Sequence, residues 1–332
     1  MHEIARALVT GITGAGGSYL AETLAAQGVE VHGFTRWHSR GNPVVPAGAR
    51  LHEVDLNDLG SVIRGLRVAR PDSIFHLASH ANVRACFDTP LAVLQNNIMG
   101  TANLLEALRL SESQARFLMC STSEVYGQVL PHEVPIRETN ALRPANPYAV
   151  SKLTQDALAY TYYLNYKLPV IRTRMFSYFN PRRADLFSTS FARQIVAIER
   201  GAAKVLRHGN LESVRTMIDV RDAMSAYTYA MRFGEPGEVY NIGGDVTMTV
   251  GEFLAHLIDE ATVEIITETD PALLRPTDVT LQIPDSGKFK RATGWRAHHT
   301  LAQSVAHLMG ELREENGSRD ASLAEHRKLI GL

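Results

Sequence analysis

The chain has 332 residues, of which 45% are hydrophobic and 21% charged, and its net charge is −1. This composition is ordinary for a globular protein with a sizeable core. The balanced charge argues against nucleic acid or an anionic membrane as the main partner. Two cysteines, Cys86 and Cys120, are too few for a disulfide framework. With no signal-peptide pattern and no apolar run of about 18–20 residues, we expect a cytoplasmic protein with no membrane partner.

Short apolar runs alternate with helical patterns along the first 175 residues. The predicted strands are Ala5–Gly11, Glu30–Phe34, Ala49–Val54, Ser73–Leu77, Arg116–Ser121 and Pro169–Arg174. The predicted helices are Tyr19–Ala26, Leu59–Leu66, Leu91–Leu110 and Tyr148–Tyr166. This alternation is typical of βαβ units, whose strands are apolar throughout because both faces of the sheet are buried. The sequence therefore predicts an α/β fold with a Rossmann-type doubly wound parallel sheet.

After residue 175 the pattern loosens into loops rich in Arg, Asn and Pro. We therefore expect residues 1–175 to form the Rossmann domain. Residues 176–332 are expected to form mainly a smaller, mixed α/β lobe that binds the substrate. One late apolar run, 238–243, is predicted to return to the main sheet.

A glycine-rich turn joins the first strand to the first helix. The segment Gly11–Gly17 has the spacing G-x-x-G-x-x-G rather than the commoner G-x-G-x-x-G. Glycines permit a tight turn and a close approach of backbone N–H groups to a pyrophosphate, and the helix start adds a positive dipole end. The alternative is an ordinary strand–helix turn. The context favours a dinucleotide site, with contacts from Gly11, Thr13, Gly14 and Gly17.

The end of the second strand selects between the two nicotinamide cofactors. An acidic residue there binds a ribose 2′-hydroxyl, whereas an arginine accommodates a 2′-phosphate. The chain has no carboxylate at this point and has Arg36 and Arg40. NADP is therefore favoured over NAD, the alternative being that both arginines are solvated. Further cofactor contacts are expected after the third and fourth strands, at Asp55, Leu56, Leu77, Ala78 and Ser79.

Tyr148 and Lys152 lie four residues apart on one face of a predicted helix. A tyrosine with an ordinary pKa of about 10 is a poor base at neutral pH. A lysine ammonium one turn away favours the phenolate and can also bind the cofactor ribose. Such pairs occur by chance on surface helices, but behind a glycine loop and five βα units this pair predicts acid–base chemistry at a carbinol.

The segment Ser121–Gly127 follows the fifth strand, at the sheet edge where substrates bind. Thr122 can hydrogen-bond a substrate oxygen, and Glu124 adds a carboxylate able to move a second proton. Ser123 is expected to position Glu124 or a substrate oxygen. The alternatives are turn chemistry for the hydroxyl residues and a solvated loop position for Glu124. Hydride transfer alone needs no such carboxylate, so Glu124 indicates proton transfer beyond alcohol oxidation.

These motifs resemble the extended short-chain dehydrogenase/reductase family, over nearly the whole chain. Within it, the chain resembles the GDP-mannose 4,6-dehydratases and the GDP-4-keto-6-deoxymannose reductases. The first half is similar to the dehydratases at residues 10–22, 31–36 and 121–127. The second half is similar to the reductases at residues 190–195, 208–215 and 274–278.

The resemblance implies where a sugar nucleotide binds. Asn210 is expected near the base, Arg215 and Arg275 on the diphosphate, and Arg193 beside it. Arginine suits this role because its guanidinium forms bidentate contacts with phosphate oxygens. The alternative for each arginine is a solvated loop position.

Two departures from the family pattern affect the sugar site. Ser177 stands where the family usually has Asn, and Cys86 where it usually has Ser. Both positions commonly face the sugar or the diphosphate, so both are expected to bind substrate.

The combined interpretation is an NADP-dependent sugar-nucleotide 4,6-dehydratase, a lyase acting on GDP-mannose or a related GDP-hexose or GDP-heptose. An NADPH-dependent GDP-4-keto-6-deoxy-sugar reductase or a sugar-nucleotide epimerase is the alternative on the same scaffold. A non-catalytic NADP sensor is disfavoured because Thr122, Tyr148 and Lys152 are all present. We expect a homodimer or homotetramer and no bound metal.

Overall fold

The computed structural model describes residues 1–36, 45–274 and 279–329, with side chains through residue 315. The strands are β1 Arg6–Thr10, β2 Glu30–Thr35, β3 Arg50–Glu53, β4 Ser73–His76, β5 Arg116–Thr122, β6 Val170–Met175, β7 Tyr178–Phe179, β8 Val205–His208, β9 Val214–Asp219, β10 Val239–Ile242, β11 Val246–Thr249, β12 Ile266–Thr269 and β13 Leu281–Gln282. The helices are α1 Ala15–Ala26, α2 Leu59–Ala69, α3 Pro90–Leu94, α4 Gly100–Leu110, α5 Pro147–Tyr166, α6 Phe187–Glu199, α7 Val220–Phe233, α8 Val250–Asp259, α9 Gly287–Thr293 and α10 Leu301–Leu329. None of these described helices combines the length and apolar character needed to cross a bilayer.

Seven of the described strands form one parallel sheet in the order β10-β6-β5-β4-β1-β2-β3. The chain winds in one direction from β1 through β2 to β3, and in the other from β4 outwards. The crevice beyond the carboxyl ends of β1 and β4 is thus the switch point at which such sheets bind ligands. The predicted Rossmann-type doubly wound sheet is confirmed.

Both faces of this sheet are buried, which explains the continuous apolar runs of its strands. Successive strand residues point to opposite faces. Val9 and Phe75 therefore join the cluster that contains α1 and α7. Their neighbours Leu8 and Ile74 join the cluster that contains α2 and α4.

The second half of the chain adds a strand and a helix to the main sheet and also forms a smaller lobe. β10 lies beside β6 in the main sheet, and α7 packs against α1 on one of its faces. The remaining strands form small sheets, β11-β9-β13 with β7 beside β9, and β12-β8. A separate core holds this lobe together, including Phe191, Ile195, Phe253, Leu257 and Leu308.

The predicted helix Leu91–Leu110 is not continuous. Residues Gln95–Met99 form a π-helical turn between α3 and α4. Asn97, buried in this turn, accepts the His80 N–H at 2.7 Å and donates to the Ser151 hydroxyl at 2.9 Å. The wide turn thus ties the end of β4 to α5, in keeping with the frequent occurrence of such turns at functional sites.

Candidate active site

Two glycines of the turn after β1 are packed too closely to carry a side chain. Gly11 has φ +71°, and a Cβ there would lie 2.9 Å from the Cα of Ala78, just after β4. A Cβ on Gly17 would lie 2.1 Å from the Gly11 carbonyl oxygen. Gly14, whose N–H donates to that same oxygen at 2.9 Å, precedes α1. With Thr13 half-buried beside them, these residues form a cradle that fits a pyrophosphate.

The residues after β4 line the other wall of the same crevice. Leu77, Ala78 and Ser79 are half-buried, and the Ala78 N–H donates to the Thr10 hydroxyl at 3.2 Å. The Ser79 hydroxyl is buried and has no hydrogen-bond partner among the described residues. A buried, unpaired hydroxyl beside the glycine cradle fits a nicotinamide dinucleotide as ligand.

The remaining predicted cofactor residues border this crevice. Asp55 and Leu56 follow β3, where Asp55 accepts the Asn57 N–H at 2.9 Å and the Leu56 carbonyl accepts the Asn103 amide at 2.8 Å. Arg36 is exposed directly after β2. Burial and, secondarily, the positive charge of Arg36 lower the pKa of His80, which follows β4. Arg36 is thus close enough to act on this side of the crevice, while Arg40 lies outside the described residues.

Tyr148 and Lys152 lie in the first two turns of α5, which Asn146 caps through its side-chain oxygen, 2.8 Å from the Ala149 N–H. Their exposed fractions are only 7% and 3%. Burial raises the pKa of Tyr148 to about 12, opposed by the charge of Arg183 and a hydrogen bond with Thr122. Burial also lowers the pKa of Lys152 to about 8. Deprotonation of Tyr148 would therefore need added positive charge close by, which an oxidised nicotinamide ring would supply when bound.

Arg183 is a site residue that the sequence reasoning did not identify. Its guanidinium donates to the Ala81 carbonyl at 2.7 Å and forms an ion pair with Asp185 at 3.0 Å. Its charge lowers the pKa of both Tyr148 and Lys152. Arg183 therefore adds positive potential at the reacting end of the cleft. The available signal was the segment Pro181-Arg182-Arg183, which agrees with the pattern of the family that the sequence resembles.

Glu124 lies in a 3-10 turn directly after β5, close to the start of α5. Its backbone N–H donates to the Thr122 hydroxyl at 3.3 Å, which tightens the turn. Its two carboxylate oxygens accept hydrogen bonds from Asn146 Nδ2 at 3.1 Å and from Gln282 Nε2 at 3.0 Å. Ser123, also predicted, is buried within the same turn. Glu124 is therefore held in place rather than solvated, and Thr122 connects it to Tyr148.

A buried ionic network contacts the end of the turn that carries Glu124. Asp156, on α5, pairs with Arg172 at 2.9 Å and with Arg174 at 3.0 Å, both on β6. Arg174 also donates to the Tyr126 hydroxyl at 2.9 Å, and Tyr126 donates to Asn241 at 2.7 Å. Tyr126 ends the turn that carries Glu124. The network thus joins α5, β6, β10 and the Glu124 turn.

Two of the predicted substrate residues lie beside the main sheet, where Cys86 packs with Tyr148 and Ser177 follows β6. Cys86 is fully buried in a small apolar cluster with Val93 and Tyr148, and its thiol donates to the Val83 carbonyl at 2.8 Å. Ser177 is half-buried between β6 and β7, on the strand connection that follows the catalytic sheet edge. Both positions stay predicted substrate contacts.

The other predicted substrate residues belong to the second lobe. Arg215, on β9, donates to the backbone carbonyls of Val214 at 2.9 Å and Thr280 at 3.2 Å. Asn210 accepts the Glu212 N–H at 2.8 Å in a turn before β9. Arg193 forms an ion pair with Glu315 of α10 at 2.9 Å, so its guanidinium is engaged inside the lobe. The fourth, Arg275, lies outside the described residues.

Among the described residues, no group of three or more His, Cys, Asp or Glu side chains is arranged to hold a metal ion.

Residues 8–308 match the protein family described as GDP-mannose 4,6 dehydratase. The GDP-6-deoxy-D-mannose reductase of Pseudomonas aeruginosa is 33% identical over 316 residues, which cover 93% of this chain and 99% of that protein. The GDP-mannose 4,6-dehydratase of Yersinia enterocolitica is 31% identical over 353 residues, covering 93% of this chain and 94% of that protein.

A solved structure shows the same fold with a cofactor present. The structure of RMD from Pseudomonas aeruginosa in complex with NADPH has a TM-score of 0.81 and 30% identity, covering 94% of this chain and 99% of that one. Since the family match extends over most of the chain and the structure brings Thr122, Glu124, Tyr148 and Lys152 to one sheet edge, the protein belongs to the GDP-mannose 4,6 dehydratase family of extended short-chain dehydrogenase/reductases.

Proposed function

We propose that this protein is an NADP-dependent GDP-mannose 4,6-dehydratase, acting on GDP-mannose or a closely related GDP-hexose or GDP-heptose. The observation that carries the proposal is the Glu124 carboxylate, which two amide donors orient. The Thr122 hydroxyl lies between the backbone N–H of Glu124 and the Tyr148 hydroxyl, and so brings both residues to one place. Similarity to the Yersinia dehydratase supports this substrate. The glycine cradle, the Ser79 hydroxyl, Arg36 and the NADPH in the RMD structure support this cofactor.

The chain's own residues divide the reaction into two parts. Bound NADP would supply the hydride chemistry, as an acceptor for the hydride of C4 and as its donor at C6. Tyr148 takes the O4 proton, Thr122 hydrogen-bonds O4, and the buried charge of Lys152 favours the phenolate. The 4-keto group then acidifies C5, and Glu124 takes the C5 proton. Glu124 gives that proton to the C6 hydroxyl, which leaves as water. Once C6 has received the hydride, C5 takes up one proton, which balances the O4 proton that Tyr148 removed and releases.

The test is a Glu124→Gln variant incubated with GDP-mannose and catalytic NADP+. We expect wild type to form the 4-keto-6-deoxy sugar nucleotide, detected by mass spectrometry as loss of water. The variant is expected to lose about 10²–10⁴-fold of this activity because an amide cannot accept the C5 proton. Glu133→Gln is the matched control, since the Glu133 carboxylate pairs with Arg143 at 2.8 Å and takes no part in the proposed chemistry. Full activity of Glu124→Gln contradicts the assignment.

A reductase is the second candidate, supported by the 33% identity to the Pseudomonas reductase. As a reductase, this protein would reduce a 4-keto sugar nucleotide. Tyr148 would then donate a proton, and Glu124 would only position the substrate. Stoichiometric NADPH consumption with a GDP-4-keto-6-deoxy sugar, and no water loss from GDP-mannose, selects this function instead.

We further propose that the enzyme is a cytoplasmic homo-oligomer, formed through the faces of α3 to α5. Leu91, Met99, Leu110 and Leu164 are large apolar residues that these helices leave exposed, and apolar surface of this kind marks association sites. Light scattering is expected to give a dimer or tetramer mass, and Leu110→Lys is expected to reduce that mass. A monomeric wild type contradicts the proposal.

The two free cysteines, both buried, fit a reducing compartment, which cell fractionation tests.

A further inference from the structure

The carboxylate of Glu124 is held from both lobes. Asn146, at the start of α5, donates to Oε2, and Gln282, on β13 of the second lobe, donates to Oε1. With one amide donor on each oxygen, the plane of the carboxylate is fixed. A single donor leaves the group free to rotate about that one contact.

The two donors differ in what else they support. Asn146 also caps α5 through its Oδ1, so its substitution disturbs the helix that carries Tyr148. Gln282 has no such role in α5. Its exposed fraction is 4%, so its amide meets Glu124 largely out of competition with water.

The chain around Gln282 is docked at both ends onto the loop that follows Glu124. Thr280 exchanges two hydrogen bonds with the side chain of Gln128, at 3.0 and 2.8 Å. Beyond Gln282, the backbone of Ile136 donates to Ile283 at 2.7 Å and accepts from Asp285 at 2.8 Å. The two backbone contacts of Ile136 directly follow Gln282 and hold it relative to the turn that carries Glu124, whereas the Gln128 contacts dock only the start of the segment.

The same strand is also paired with the strand that carries Arg215, a predicted diphosphate ligand. β13 pairs in parallel with β9, and Gln282 is the register partner of Arg215. The ladder that presents the proposed phosphate-binding arginine therefore also presents the donor to Glu124. The second lobe thus contributes to the acid–base group as well as to nucleotide binding.

We propose that Gln282 is a positioning residue for the dehydration half of the reaction, orienting Glu124 toward C5 and C6 without acting in hydride removal at C4. This inference rests on the proposed function. In that half, the C5–H bond breaks and its proton goes to Glu124, and the electron pair forms the C5=C6 bond. The C6–O bond breaks as its oxygen takes that proton from Glu124 and leaves as water. Both transfers use one carboxylate, so its orientation governs both.

The experiment compares two methionine variants. Gln282→Met keeps the length of the side chain and removes the donor. Gln128→Met is the matched control, because it removes a contact that docks the same segment without touching Glu124. In single turnovers with NADP+ and GDP-mannose, nicotinamide reduction is followed by absorbance and water loss by mass spectrometry. Gln282→Asn, which withdraws the amide while keeping it polar, is the second variant if Gln282→Met does not fold.

We expect Gln282→Met and Gln282→Asn to lose water about 10–100-fold more slowly, with nicotinamide reduction and the KM for GDP-mannose within about twofold of wild type. Gln128→Met is expected to keep both rates. Equal slowing of both steps, an equal effect in Gln128→Met, or unchanged water loss overturns the role of Gln282.

The two levels of the proposal fail in different ways. If wild type releases no water from GDP-mannose or from UDP-, CDP- and dTDP-hexoses, the proposed function is wrong and the role of Gln282 is overturned with it. If wild type releases water and the Gln282 variants do so equally fast, only the role of Gln282 is overturned.

Discussion

Replacement of Lys152 by methionine is expected to slow turnover by about 10²–10⁴-fold while stabilising the cofactor-free protein. In the proposed mechanism the ammonium favours the Tyr148 phenolate, and methionine has no charge to replace it. The same ammonium is only 3% exposed, and burial lowers its pKa from 10.5 to about 8. A shift of that size corresponds to about 3 kcal/mol of unfolding free energy at neutral pH. On this proposal, Lys152 serves catalysis at the expense of stability.

The pH dependence of this stability difference has a definite sign. Below pH 8 Lys152 is charged in both the folded and the unfolded chain, so the folded state carries the full desolvation cost. Between pH 8 and 10.5 only the unfolded chain holds the proton, and the stability of wild type rises with pH. Above pH 10.5 the cost disappears, and so does the advantage of the variant.

Denaturant unfolding of the cofactor-free proteins across this pH range checks the expectation. Lys204→Met is the control, because Lys204 is an exposed loop lysine and its loss changes neither turnover nor stability appreciably. A Lys152→Met protein no more stable than wild type at pH 7 contradicts the argument. So does an advantage that persists unchanged above pH 10.5.

Replacement of Asp156 by asparagine is expected to lower the free energy of unfolding by about 3–5 kcal/mol. Asp156 is 2% exposed and neutralises two guanidiniums, those of Arg172 and Arg174. Asparagine keeps the shape but leaves both positive charges buried without their counter-ion. Because Arg174 also holds the Tyr126 hydroxyl, the turn with Glu124 loosens and dehydration slows as well.

Urea unfolding at neutral pH measures this effect. Asp245→Asn is the control, since Asp245 forms an exposed ion pair with Lys290 and its removal is expected to cost no more than about 1 kcal/mol. A loss at Asp156 no larger than the loss at Asp245 contradicts the role given to the network.

The main sheet was predictable because its strands are apolar throughout and are bounded by turn residues, which local periodicity reveals. The same periodicity predicts a single helix over Leu91–Leu110, which the structure does not show. The π-helical turn at Gln95–Met99 arises from the contacts of Asn97 with His80 and Ser151, which are distant in sequence. A local hydrophobic pattern does not contain such long-range contacts.

That Tyr148, Lys152 and Glu124 come together at one sheet edge was predictable, because each sits in a short motif; their catalytic roles stay a proposal. Gln282 lies 158 residues after Glu124, on a strand of two residues. The neighbouring sequence carries no motif that would distinguish Gln282 from a solvated glutamine. The pairing of Arg193 with Glu315 depends on how α6 meets α10, which the resemblance did not describe. The predicted substrate role of Arg193 stays a prediction.

The position of β10 has a consequence for how the protein is made. β10 completes the sheet beside β6, and its Asn241 accepts the Tyr126 hydroxyl of the Glu124 turn. During synthesis, the edge of β6 and this buried tyrosine stay without their partners until residue 242 has left the ribosome. A chain cut at residue 175 is therefore an unfinished sheet with an open edge, prone to aggregate rather than to bind nucleotide as a separate module.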